Sequence, residues 1–223
     1  MKVAVFTLGL SPPIVTEFLF KLRERNVGVK RAIAVTTEES LPSFHALKLA
    51  FWWSREPNPD LREKLWIEDL KNVDLIQKTL TVMDIQNEGD CRSFRTQFSG
   101  SLRDALKWAE NNPSNIHVCI AGGRKTMPVD AALVCLANGI TNVYHVIAPE
   151  IRGVAPFTER VRDKKLRMEL EEFADKPQEA PKELVNFALE ACFPPKELDI
   201  HLISFPLPEL REEERKKFRE KLF

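Results

Sequence analysis

Ile120-Ala121-Gly122-Gly123-Arg124-Lys125-Thr126-Met127 joins one short apolar run, Ile116 to Ile120, to a second, Val129 to Ala137. The order reads as strand, glycine turn, helix. Two adjacent glycines let the backbone bend sharply and approach a ligand closely. Two cations and a hydroxyl then follow at the start of a helix, where free N–H groups and the helix dipole already favour an anion. The spacing is not that of a Walker A loop, because Arg124 separates the glycines from Lys125, and no G-x-G-x-x-G is present. The stretch is either a phosphate site or an ordinary tight turn with two solvated cations.

A second turn of the same kind lies near the N-terminus. Val3 to Leu8 is a compact apolar run ending at Gly9, as expected of a buried parallel strand. Ser11-Pro12-Pro13 then opens a helix, with Ser11 as a candidate N-cap and Ile14, Phe18 and Leu22 at helical spacing. Arg31 to Thr37 is expected as the second strand and Leu41 to Trp53 as the next helix. A short helix is expected between Leu61 and Asn72. Leu75 to Ile85 reads as the third strand, Asn87 to Asp90 as a turn, and Ser93 to Asn111 as a long helix. Ile116 to Ile120 is the fourth strand, Pro128 to Ala137 its following helix, and Asn142 to Ile147 the fifth strand. Charged and apolar helices follow, with one more strand, Leu198 to Phe205, and a charged terminal helix.

Strands and helices alternate on short connections, which indicates an α/β chain: an open, mainly parallel sheet with helices on both faces. In such sheets ligands sit beyond the carboxyl ends of the strands. The turns at Gly9 to Ser11, Thr36 to Glu38 and Gly122 to Lys125 all fall on that edge and should line one crevice.

With 33 basic and 33 acidic residues the chain has no net charge, so no global field recruits duplex nucleic acid. Its four cysteines lack C-x-x-C spacing, which argues against a zinc site and against a secreted disulfide framework. No run approaches the ~18 apolar residues of a membrane span, and the first residues read as a strand rather than a signal peptide. A cytoplasmic protein is expected. His45 and the tryptophans Trp52, Trp53 and Trp66 are expected to pack rather than to react. Arg92 and Arg95 are either part of a cover over the crevice or a solvated first helical turn.

Two stretches together resemble a known pair. Leu8-Gly9-Leu10-Ser11-Pro12-Pro13-Ile14-Val15-Thr16-Glu17 and Gly122-Gly123-Arg124-Lys125-Thr126-Met127 are similar to motifs of the CRISPR-associated Rossmann-fold (CARF) proteins. The nearest branch is the small stand-alone one that includes ring nucleases. Tyr144-His145-Val146 and Ile203-Ser204-Phe205-Pro206 resemble that branch as well. The likeness covers residues 1–150 well and the tail weakly. It implies a Rossmann-like domain over 1–155, with a C-terminal helical extension carrying one strand, 156–223, packed on it.

The resemblance further implies a homodimer that binds a cyclic oligoadenylate across its two-fold axis, tetra-adenylate before hexa-adenylate, with no cofactor and no metal. In ring nucleases of this kind a ribose 2′-hydroxyl attacks the adjacent phosphorus in line. Lys125 is then the expected stabiliser of phosphoryl charge, and Ser11 the residue that orients ribose or phosphate. N-capping alone is the competing reading of Ser11. Thr7, Leu8, Gly9, Leu10, Pro12, Thr36, Thr37, Gly122, Gly123, Arg124, Thr126 and Met127 are the expected ligand-binding residues. Arg124 either contacts ligand or braces the turn, and Thr126 and Met127 also suit a helix start and core packing. A sensor that binds without cleaving, or a Rossmann-like binder of another nucleotide or sugar phosphate, remains the alternative.

Overall fold

The structure is a computed structural model and describes residues 1–68, 70–80, 83–149 and 157–223. Five parallel strands, β1 (Lys2–Leu8), β2 (Val29–Thr36), β3 (Asp74–Thr79), β4 (Ile116–Cys119) and β5 (Val143–Ile147), lie in one sheet with a sixth, β6 (His201–Ser204). The order is β3-β2-β1-β4-β5-β6, and only β6 runs antiparallel, against β5. This is the doubly wound order, and it reverses direction between β1 and β4.

The pleat explains why helices cover both faces. Ala4, Phe6 and Leu8 of β1 point into one core layer, and Val3 and Val5 into the other. The first layer is filled by α1 (Pro13–Glu24), α2 (Leu41–Trp53), α7 (Lys164–Asp175) and α8 (Lys182–Cys192). Phe6 and Phe18 meet edge-on there, with ring centroids 5.4 Å apart. The second layer is filled by α4 (Glu88–Trp108) and α5 (Thr126–Asn138). Gly139 ends α5 in the left-handed conformation, φ 70°. Two arginines of α9 (Glu212–Leu222) reach that end: Arg219 Nη1 donates to the Ala137 carbonyl at 3.2 Å, and Arg215 lies over Gly139. Two short helices, α3 (Pro59–Lys64) and α6 (Phe157–Arg160), also occur among the described residues.

Several expected boundaries move, each for a physical reason. The third strand stops at Thr79 rather than Ile85, because its partner β2 ends at Thr36, opposite Thr79. Residues 81 and 82 of the expected strand lie outside the described residues, as does the expected division at 155 and 156. Asn87 to Asp90 is not a free turn but the start of α4. Asn87 Oδ1 accepts from Asp90 N at 3.0 Å and Asp90 Oδ2 from Asn87 N at 3.2 Å, a reciprocal cap. Arg92 and Arg95 therefore sit inside the helix. Arg95 is turned inward to Asp130 of α5, 3.2 Å away, and Arg92 pairs with Glu88. Ser11 does not cap α1: the cap position is Pro12, with no side-chain bond.

One carboxyl is out of place in the apolar layer. Glu17 of α1 is 5% exposed and has no hydrogen bond or ion pair among the described residues. Burial pushes its carboxyl from an ordinary 4.5 up to about 7. The folded chain thus holds this proton to higher pH than the unfolded chain. The associated stability is complete below about 4.5 and is lost as pH rises through about 7. Glu17→Gln is expected to raise the melting temperature at pH 8 and to leave it nearly unchanged at pH 4, read by circular dichroism.

Candidate functional site

The two glycine turns leave adjacent strands, β1 and β4, at the point where the strand order reverses. Their backbones touch. A Cβ on Gly9 would lie 2.8 Å from Gly123 N, and one on Gly122 only 2.1 Å from the Thr7 carbonyl oxygen. Thr7 Oγ1 donates across the same gap to the Gly122 carbonyl at 2.7 Å. Gly123 has φ 87°, and its missing Cβ leaves room for the Met127 sulfur beneath it. That sulfur accepts from Arg124 N at 3.3 Å, so buried Met127 supports the turn from below.

Above these turns opens a cleft of about 350 Å³. Leu8, Gly9, Leu10 and Ser11 line it from β1, and Gly122, Gly123, Arg124 and Met127 from β4. Thr37 contributes from the end of β2. Five other residues expected at the site do not line this cleft. Thr7 and Thr36 are fully buried: Thr7 clamps the turns, and Thr36 Oγ1 lies 3.2 Å from Thr79 Oγ1 in the sheet. Pro12 is buried under the start of α1. Lys125 and Thr126 are exposed at the N-terminus of α5 but do not line the cleft. Neither Ser11 nor Lys125 has a hydrogen bond or ion pair among the described residues, so both side chains are unspent.

Arg124 is the opposite case. Its Nε donates to Asp84 Oδ1 at 2.7 Å, its Nη2 contacts Asp84 Oδ2, and the same Nη2 donates to Glu39 Oε2 at 3.1 Å. The guanidinium braces the β4 turn to the segments following β3 and β2. Hydrogen bonding from Arg124 holds the Asp84 carboxyl below its ordinary value, and the bond to Asp84 raises the guanidinium in return. Sequence reasoning missed both carboxylates as site residues. They lie 40 and 85 positions from Arg124, and only the sheet order brings them together.

Glu39 sits in a single 3₁₀ turn, Glu38–Ser40, that closes on itself. Ser40 Oγ accepts from Thr37 N at 3.0 Å, Ser40 N donates to the Thr37 carbonyl at 3.1 Å, and Glu39 N donates to the Met83 carbonyl at 3.0 Å. Chemically the cleft offers close backbone and one cation on the β4 side. On the β2 side it offers hydroxyl and carboxylate acceptors. No group of three or more His, Cys, Asp or Glu suited to a metal ion occurs among the described residues. No helix there is long and apolar enough to cross a membrane.

The interlocked turns define a sharp expectation. Gly122→Ala drives a methyl into a backbone carbonyl and should cost about 3 kcal/mol of stability, the upper end for overpacking. Gly100→Ala, in the middle of α4, meets only the tip of Arg103 at 3.8 Å and should instead stabilise by about 0.5–1 kcal/mol. Urea unfolding of the two variants beside the parent chain checks both signs.

A search among curated proteins finds no match. A scan against protein families matches residues 11–221 to the family described as CRISPR-associated protein NE0113. That match begins at Ser11, just past Gly9, and runs through the second glycine turn into α9. A CRISPR-associated family agrees with the resemblance drawn from the two motifs. The chain belongs to the CRISPR-associated protein NE0113 family.

Proposed function

We propose that the chain binds a cyclic oligoadenylate, the second messenger of type III CRISPR immunity, in this cleft and cleaves it, switching off the antiviral signal. The observation that supports the reading is the convergence of two glycine turns on one cleft, in a chain of a CRISPR-associated family. In this proposal two protomers share the ring, each holding half. The same turns presented twice match the two-fold symmetry of a tetra-adenylate ring, which is preferred here to hexa-adenylate.

In the proposed reaction a 2′-hydroxyl attacks the neighbouring phosphorus. The O2′–P bond forms as the P–O5′ bond breaks, and the hydroxyl proton is lost while the departing 5′-oxygen gains one. The product is linear, with a 2′,3′-cyclic phosphate. The protein holds the attacking and leaving oxygens in line and stabilises charge on the phosphoryl oxygens. Lys125, exposed and unpaired among the described residues, is assigned that charge, and Ser11 the orientation of ribose or phosphate. A second reading, a sensor that binds without cleaving, draws on one observation: the cation that does line the cleft, Arg124, is already held by two carboxylates.

Cyclic tetra- and hexa-adenylate incubated with the protein in EDTA, with products followed by chromatography, test the proposal. Linear products with cyclic-phosphate ends are expected, slowed at least ~100-fold by Lys125→Ala, the scale of losing one charge-stabilising donor, and less by Ser11→Ala. Binding without cleavage would establish the sensor instead. Neither binding nor cleavage would refute both.

A further inference from the structure

We infer that a separate anion site lies in a groove between α4 and the edge strand β3, and that it takes a short chain of linked phosphates. The groove has a volume of about 260 Å³ and shares no residue with the cleft. The site is independent of the messenger reading, which stands or falls without it.

Its lining is made of donors. Lys78 reaches it from β3, and Gln97, Gly100, Arg103, Asp104 and Lys107 come from α4. No apolar side chain lines it. Three cations thus face one carboxylate, in a chain whose overall charge is zero. Asp104 is engaged by two of them: Lys78 Nζ lies 3.1 Å from Oδ2, and Lys107 Nζ 3.8 Å from Oδ1. Arg103 is exposed, and neither it nor the Gln97 amide has a partner among the described residues. Positive charge left over in a concave surface draws small anions to it.

Gly100 points the same way. It lies inside the 21-residue α4, where glycine is destabilising relative to alanine. Packing does not demand it: a Cβ there would meet only the tip of Arg103, at 3.8 Å. Nor does conformation, since Gly100 is helical and has no positive φ. What the missing side chain provides is a groove floor of bare backbone beside the arginine. A ligand lying against the helix requires that.

The chemistry of the lining selects the ligand. An added peptide strand would need pockets for alternate side chains, and the lining residues offer no apolar one. A guanidinium flanked by two ammonium groups suits phosphoryl oxygens instead. The donors run from Gln97 to Lys107, about 15 Å along the helix. Linked phosphates meet more of them than a single phosphate does.

Calorimetric titration of the protein with tripolyphosphate and with inorganic phosphate is the test. Tripolyphosphate is expected to bind at least about tenfold more tightly than phosphate. The double variant Arg103→Ala/Lys107→Ala, at two exposed positions, should weaken tripolyphosphate at least about tenfold, the scale of one charged hydrogen bond. Gly100→Ala should weaken it about fivefold, the scale of one ordinary hydrogen bond, while raising the urea midpoint. A merely structural glycine would not give that combination. No binding of tripolyphosphate by the unmodified chain, or binding that either variant leaves unchanged, overturns the assignment. So does an equal affinity for a short poly-glutamate peptide, which would mark an unselective positive field. None of these outcomes touches the messenger reading.

Discussion

The closest constraint in this molecule is backbone against backbone. Gly9, Gly122 and Gly123 let the ends of β1 and β4 approach to a distance no side chain tolerates, and Thr7 closes the gap with a buried hydrogen bond. Everything at the cleft follows. The approach puts Met127 beneath the turns and leaves Arg124 at the rim, where the β2 and β3 segments reach it. A methyl at Gly122 would strike the Thr7 carbonyl at the point where the two turns meet.

Much of the fold could be read from the residues. Alternation of apolar runs with amphipathic ones, and glycine turns at fixed places, suffice for an open sheet with helices on both faces. Leu41–Trp53 is a helix over the residues its pattern indicates. The departures are instructive. β3 ends early because a strand continues only while its neighbour does, and the end of β2 is invisible from within residues 74–85. The turn-like Asn87-Glu88-Gly89-Asp90 is a helix cap, since asparagine and aspartate three apart can satisfy one another's backbone. The same residue types serve turns and caps, and composition does not separate them.

The cleft was less legible than the fold. The motif residues identify the turns, but not which side chains face outward. Thr7 and Thr36 are hydroxyls at strand ends and look suited to a ligand, yet both are turned into the sheet. Arg124 looks like a free cation until the order β3-β2-β1-β4 sets Asp84 and Glu39 against it. Those partners belong to other strands, and a local pattern carries no trace of them. What the sequence places well is backbone geometry; what it leaves open is charge pairing across the strand ends.

The neighbouring of β1 and β4 also has a meaning in time. Thr7 and Gly122 are 115 positions apart, though their strands touch. At synthesis rates of about 5–20 residues per second, β1 waits roughly 6–23 s for the strand that completes its turn. Until then the chain can pair β1 with β2 and begin one layer, but it has no cleft. The cleft can form only once β4 and its turn have been made, just past the middle of the chain.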